Sequence, residues 1–161
     1  IMIDTNNFVN HTGVRTFEAA AFLRRCGADI THVRKMFRDD MDSYRAKAEI
    51  ISSAEVYHKK FAIARGTALK IESPTIIGAQ AANELLDINN IKASFVLTEY
   101  NGRIYVSARS IDEVNVQIIM ERLGGGGHMN ASGAQFDHTD MNEAISSLMK
   151  VIDDMIKGGD I

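Results

Sequence analysis

The run Arg103-Ile104-Tyr105-Val106-Ser107-Ala108-Arg109, reached from Lys92 to Glu99 across Tyr100-Asn101-Gly102, decides the fold. An Asn-Gly pair suits a tight hairpin turn, whose central residues need positive φ. The flanking segments carry β-branched and aromatic residues, so Lys92 to Glu99 and Arg103 to Arg109 are expected to pair as antiparallel strands. Alternation along the second strand puts Tyr105, Ser107 and Arg109 on one face. A guanidinium closing an otherwise apolar strand is costly unless it meets water or an anion, and its fork matches phosphate oxygens.

Reading onward, Ser110 with Glu113 three positions later predicts a capping box for a helix from Glu113 to Leu123. That helix runs into Gly124-Gly125-Gly126-Gly127-His128. One glycine ends a helix; four leave a run of N–H groups that no side chain shields, open to close approach by an anion. His128 adds a side-chain donor, and Asn115 an amide from the first turn. Taken singly, these are a helix terminus, a solvated edge arginine and a turn residue. Together they favour an anion site. A last helix is expected from Asp140 to about Lys157, with Ile145, Leu148, Met149, Ile152 and Met155 along one face.

Reading backward, Ser73-Pro74 opens a helix to about Leu86, serine as N-cap and proline at the first helical position. Its Gly78, Ala79, Ala81 and Ala82 permit close packing. Glu55 to Arg65 reads as a hairpin or edge strand pair. Asp39-Asp40-Met41-Asp42 starts a connecting helix whose Tyr44, Ala48 and Ile51 share a face, and the acidic residues there read as first-turn helix charges rather than a ligand pair. Further back lie helices from Thr16 to the stop at Gly27 and from Ile30 to Phe37. Ile1-Met2-Ile3-Asp4-Thr5 reads as an apolar strand already under way, as in a piece of a longer chain. Asp4 would then stand at a strand's carboxyl end, where ligands and metals commonly sit.

The pattern is an α/β chain: a short α/β piece over residues 1–38, a connector over 39–54, and an α+β domain over 55–161 with a mixed sheet flanked by helices. With 161 residues, 45% apolar and one proline, it folds rather than remaining disordered. A net charge of -3 excludes a global basic field for polynucleotides. No apolar run reaches the roughly 18 residues of a membrane span. Cys26 stands alone, which fits a reducing, cytoplasmic setting. His11, His32, His58 and His138 have no metal-ligand companion at useful spacing.

Asp4-Thr5-Asn6, Arg15-Thr16-Phe17-Glu18-Ala19-Ala20, Ser107-Ala108-Arg109-Ser110, Asn115-Val116-Gln117 and the Gly124 to His128 motif resemble the DHH/DHH-associated phosphoesterases over nearly the whole chain. Val114 to His128, with Arg15-Thr16-Phe17, is most similar to the membrane-anchored cyclic-di-AMP phosphodiesterases. The resemblance implies a DHH domain holding two Mn²⁺ ions and an associated domain gripping the nucleotide across a cleft. Asp4 matches the last metal-binding aspartate of the first. Ser107, Arg109, Asn115, Gly124, Gly125, Gly126, Gly127 and His128 match substrate-recognition positions of the second.

The Asp-His-His tripeptide and the earlier metal ligands are absent from these residues. Two-metal hydrolysis needs ions about 3.5–4 Å apart, which Asp4 alone cannot hold. The resemblance therefore implies residues 1–38 as the remnant of a DHH domain and residues 55–161 as the recognition domain. The parent would open cyclic-di-AMP to a linear dinucleotide, and this piece would be inactive alone. It also implies upstream membrane helices in the parent, no membrane contact by this piece, a cyclic dinucleotide or short oligonucleotide as partner, and room for a homodimer. The competing readings are a nanoRNase or single-strand exonuclease, against which the 7% aromatic content weighs, and a non-catalytic nucleotide- or RNA-binding module.

Overall fold

A computed structural model describes residues 1–5, 7–9, 12–66, 71, 73–111 and 113–161. Asn6 and His11, named above, lie outside the described residues. The chain divides into two compact units, Ile1–Asp39 and Asp40–Ile161.

The first unit holds α1 (Val14–Arg25) and α2 (Ile30–Met36). The expected strand at Ile1–Thr5 does not form. Strands need a partner to bond with, and the described backbone closes on itself instead, Thr5 N–H donating to Ile1 O at 3.0 Å and Val9 N–H to Thr5 O at 2.9 Å. Helix α1 begins ahead of Thr16, whose hydroxyl accepts from Gly13 N–H at 3.3 Å. Asp29 caps α2 by accepting from Thr31 N–H at 2.9 Å.

The second unit is built on a six-stranded mixed sheet: β1 (Glu55–Tyr57), β2 (Phe61–Gly66), β3 (Ala93–Tyr100), β4 (Arg103–Ser110), β5 (Gly126–His128) and β6 (Ala131–Asp137). Its helices are α3 (Met41–Ser52), α4 (Pro74–Leu85), α5 (Val116–Arg122) and α6 (Met141–Gly158). The strand order is β1-β2-β3-β4-β6-β5. Among the described strands only β2 and β3 are parallel, and a parallel pair needs a crossover, which α4 supplies. The β3–β4 hairpin closes as expected, Tyr100 opposite Arg103, with Asn101 at φ 51° and Gly102 at φ 72°.

Alternation along the strands feeds two cores. One face sends Phe61, Ile63, Phe95, Leu97, Ile104, Val106 and Ala108 against Ile119 and Met120 of α5 and Leu148, Ile152 and Met155 of α6. The other sends Ala62, Ala64 and Val96 against Ile77, Ala81, Ala82 and Leu85 of α4 and Ala46 and Ile50 of α3. Gly78 permits this closeness, since a Cβ there would stand 2.7 Å from Thr98 Cγ2.

Three local expectations need correction. Helix α3 buries Ala46 and Ile50 rather than Tyr44, which is 60% exposed, because α4 packs against the i, i+4 stripe through Ala46. Ser73 occupies the N-cap position of α4 without a side-chain cap bond. The capping box at Ser110 and Glu113 is not made: Ser110 is still in β4, Glu113 pairs with Lys92, and α5 starts only at Val116. Asp40, by contrast, caps α3 as its charge suggested. It accepts from Asp42 and Ser43 N–H, each at 2.9 Å, and the bonds from Ser43 lower its pKa.

Candidate functional site

Helix α4 lies over β3 and the adjoining part of β4, with α3 over β2, and leaves the same sheet face open beyond β4. Reading across the strands, Ser94, Arg109, Ala131 and His128 form one row, and Val96, Ser107, Gly133 and Gly126 the next. Thr98, Tyr105 and Gln135 form a third. Burial falls along every row: the β3 members are fully buried, the β4 members half-buried, and Ala131, Gln135 and His128 exposed. Polar side chains therefore sit where the helix no longer covers the sheet.

Arg109 is held by two bonds. Its Nε donates to Asn83 Oδ1 of α4 at 3.1 Å, and its Nη1 to Ala108 O at 2.9 Å. Burial lowers its pKa from the ordinary value, yet a guanidinium stays cationic at neutral pH. Five donors less these two leave three N–H groups that these bonds do not use. His128 is exposed two strands away, about 10 Å by the usual strand spacing.

Main-chain bonds gather the remaining residues. Val116 N–H donates to Met129 O at 3.0 Å and Ser110 N–H to Asn130 O at 3.1 Å. The end of β4, the start of α5 and the β5–β6 turn thus meet beside His128 and Arg109. Asn115 is there, but as the N-cap of α5, accepting from Gln117 N–H at 3.1 Å. It stands at the cap rather than in the first turn itself, and that bond engages its Oδ1, not its amide N–H groups.

The glycine run also differs from the expected open loop. Gly124 and Gly125 use their N–H groups to finish α5, on Glu121 O at 3.0 Å and Met120 O at 2.8 Å. Gly126 to His128 then join the sheet as its edge strand. Gly125 and Gly127 are packing glycines: a Cβ would fall 2.1 Å from Gly133 O at the first and 2.6 Å from Ser132 Cα at the second, which also has φ +144°. Gly126 differs, since a Cβ there meets nothing within 4 Å. Gly124 and Gly125 border a shallow groove with Thr75, Tyr105, Ser107, Gly133 and Gln135.

Asn83, Thr75 and Gln135 were not among the residues singled out from the sequence. A lone amide after Ala81-Ala82 was the available signal for Asn83, but nothing in the spacing ties it to Arg109. Asp4 is exposed in the first unit. Among the described residues no group of three or more His, Cys, Asp or Glu side chains converges as metal ligands. The residues present therefore do not by themselves fit the two-manganese site that the resemblance implies. No described helix is long and apolar enough to cross a membrane.

Two curated relatives align with nearly all of the chain. The cyclic-di-AMP phosphodiesterase PdeA of Listeria monocytogenes is 40% identical over 159 residues, 98% of this chain and 24% of that protein. The cyclic-di-AMP phosphodiesterase GdpP of Geobacillus thermodenitrificans is 41% identical over 160 residues, 99% of this chain and again 24% of that protein. The chain thus spans a minor part of each. Among solved structures, an exopolyphosphatase-related protein from Bacteroides fragilis superposes with a TM-score of 0.83 at 26% identity, covering 96% of this chain and 47% of that one. The DHHA1 domain model matches residues 59–158, from just before β2 to the last residue of α6, and the chain belongs to that family.

Proposed function

We propose that this chain is the nucleotide-gripping part of a phosphodiesterase that opens cyclic-di-AMP to a linear dinucleotide. The observation that carries the reading is Arg109, half-buried and doubly bonded on an uncovered sheet face. The likeness to cyclic-di-AMP phosphodiesterases over 98% and 99% of the chain supplies the substrate class. A phosphodiester over β4 and β6 would receive charge-assisted bonds from the free N–H groups of Arg109, with Ser107 in the adjoining row and His128 at the edge. Gly126 lets the ligand approach the backbone, and Asn115 holds the start of α5 beside His128. These groups bind and orient; no bond to phosphorus is broken by them.

Asp4 is proposed as one carboxylate of a two-manganese centre that the described residues do not complete. We also propose that the whole protein works at the cytoplasmic side of a membrane, attached by segments other than these.

Titration calorimetry with a non-hydrolysable cyclic-di-AMP analogue tests the grip. Losing charge-assisted bonds worth roughly 1.5–3 kcal/mol should weaken the Arg109→Ala variant about ten- to a hundredfold. The affinity of this chain should be the same with EDTA as with Mn²⁺, because the Arg109 face needs no metal. Unchanged affinity in a variant with a native circular dichroism spectrum overturns the phosphate site. Preference for a short linear oligoadenylate over the cyclic analogue would move the reading to a short-oligonucleotide enzyme.

A further inference from the structure

Helix α4 faces two ways along its length. Glu84 pairs with Lys47 of α3 at 2.7 Å, which marks one flank. Thr75 borders the groove and Asn83 reaches Arg109, and residues eight apart lie on one helical stripe, with Ala79 between them. That second flank is therefore a wall of the uncovered sheet face, and Asn83 is its polar contact with the cation.

We infer that Asn83 is a positioning residue for Arg109: it locks the guanidinium so that its unused Nη N–H groups are presented to the anion. The inference rests on the phosphate reading proposed above. An arginine side chain has several rotatable bonds, and fixing them on binding costs affinity. Here the cost is met in advance. The Nη1 bond to Ala108 O tethers one end of the fork, and the Nε bond to Asn83 Oδ1 sets its rotation. An amide suits the task because it accepts a hydrogen bond without charge. An aspartate at this position would hold the same geometry and neutralise the cation that the ligand needs.

A double-mutant cycle read by titration of the 161-residue chain with the same non-hydrolysable cyclic-di-AMP analogue tests this. Asn83→Ala should weaken binding roughly three- to tenfold, because the guanidinium is no longer fixed before binding, and leave the salt dependence of affinity intact because the charge remains. Asn83→Asp should weaken binding more than Asn83→Ala and flatten the salt dependence. In the Arg109→Ala background, Asn83→Ala should have no further effect. Equal losses from Asn83→Ala in both backgrounds would make Asn83 a structural residue of α4 and overturn the inference. So would a loss from Arg109→Ala with none from Asn83→Ala, which leaves the phosphate reading standing. No loss from Arg109→Ala would instead overturn that reading and the inference with it. Thermal melts of each variant separate lost binding from lost folding.

Discussion

The two faces of the sheet are finished differently. The face toward α5 and α6 is sealed across four strands, with Phe95, Leu97, Ala108, Leu148 and Ile152 fully buried. The opposite face is covered by α3 over β2 and by α4 over β3 and the adjoining part of β4, and then stops. At and beyond that limit stand Tyr105, Ser107, Arg109, Gln135 and His128. A sealed face is a source of stability, because each large apolar side chain removed from water contributes about 1.5–3 kcal/mol. A half-covered face keeps polar groups available while the helix beside them lowers their freedom.

Three measurements would break or sharpen that contrast. The largest effect is expected on the sealed face: Leu148→Ala should cost about 2–5 kcal/mol of unfolding free energy, whereas Ser107→Ala on the open face should stay within about 0.5 kcal/mol. Urea unfolding of both variants decides, and similar costs would mean that the open face is part of the stabilising core.

Neighbouring glycines should separate next. Gly125→Ala drives a Cβ into the β6 backbone and is expected to cost about 1–3 kcal/mol, while Gly126→Ala fills open space and should leave the melting temperature unchanged. Gly126→Val should instead reduce affinity for the cyclic-di-AMP analogue. Equal destabilisation by Gly125→Ala and Gly126→Ala would show that the glycine run acts as one flexible terminus.

The smallest effect concerns the tie between the β1–β2 hairpin and α6. Asp153 accepts from Tyr57 Oη at 2.6 Å and sits 2.8 Å from His58 Nε2. The Tyr57 bond first, and the His58 bond second, hold its pKa below the ordinary carboxylate value. A depressed folded pKa stabilises fully above the unfolded value near 3.9 and loses that contribution as pH falls through the folded one. The stability gap between the parent and Asp153→Asn should therefore be larger at about pH 6 than at about pH 2. A gap of the same size at both would show that the tie does not depend on the carboxylate's charge.

Much of the fold was legible in the residues themselves. Asn101-Gly102 requires a turn with two positive φ values, strand alternation gathers Tyr105, Ser107 and Arg109, and the apolar stripe of α6 needs a partner surface; all three signals are local. Caps were less legible. Ser110 and Glu113 spelled a capping box that the chain left unused, because Ser110 was claimed by the β3–β4 ladder and Lys92 paired with Glu113. Ile1–Thr5 has a strand's composition, yet a strand exists only where another strand bonds to it.

The anion site proposed at Arg109, His128 and the glycines likewise came from residue chemistry, and the family resemblance followed from the same motifs. Only the tertiary structure decided which glycine serves which purpose, since the distance from Gly125 to Gly133 O depends on how β6 returns past β5. The pairing of Asn83 with Arg109 across 26 residues was decided the same way. Periodicity encodes which side of an element a residue occupies, whereas contacts between elements follow from how far a helix extends over a sheet, and for α4 that limit falls at β4.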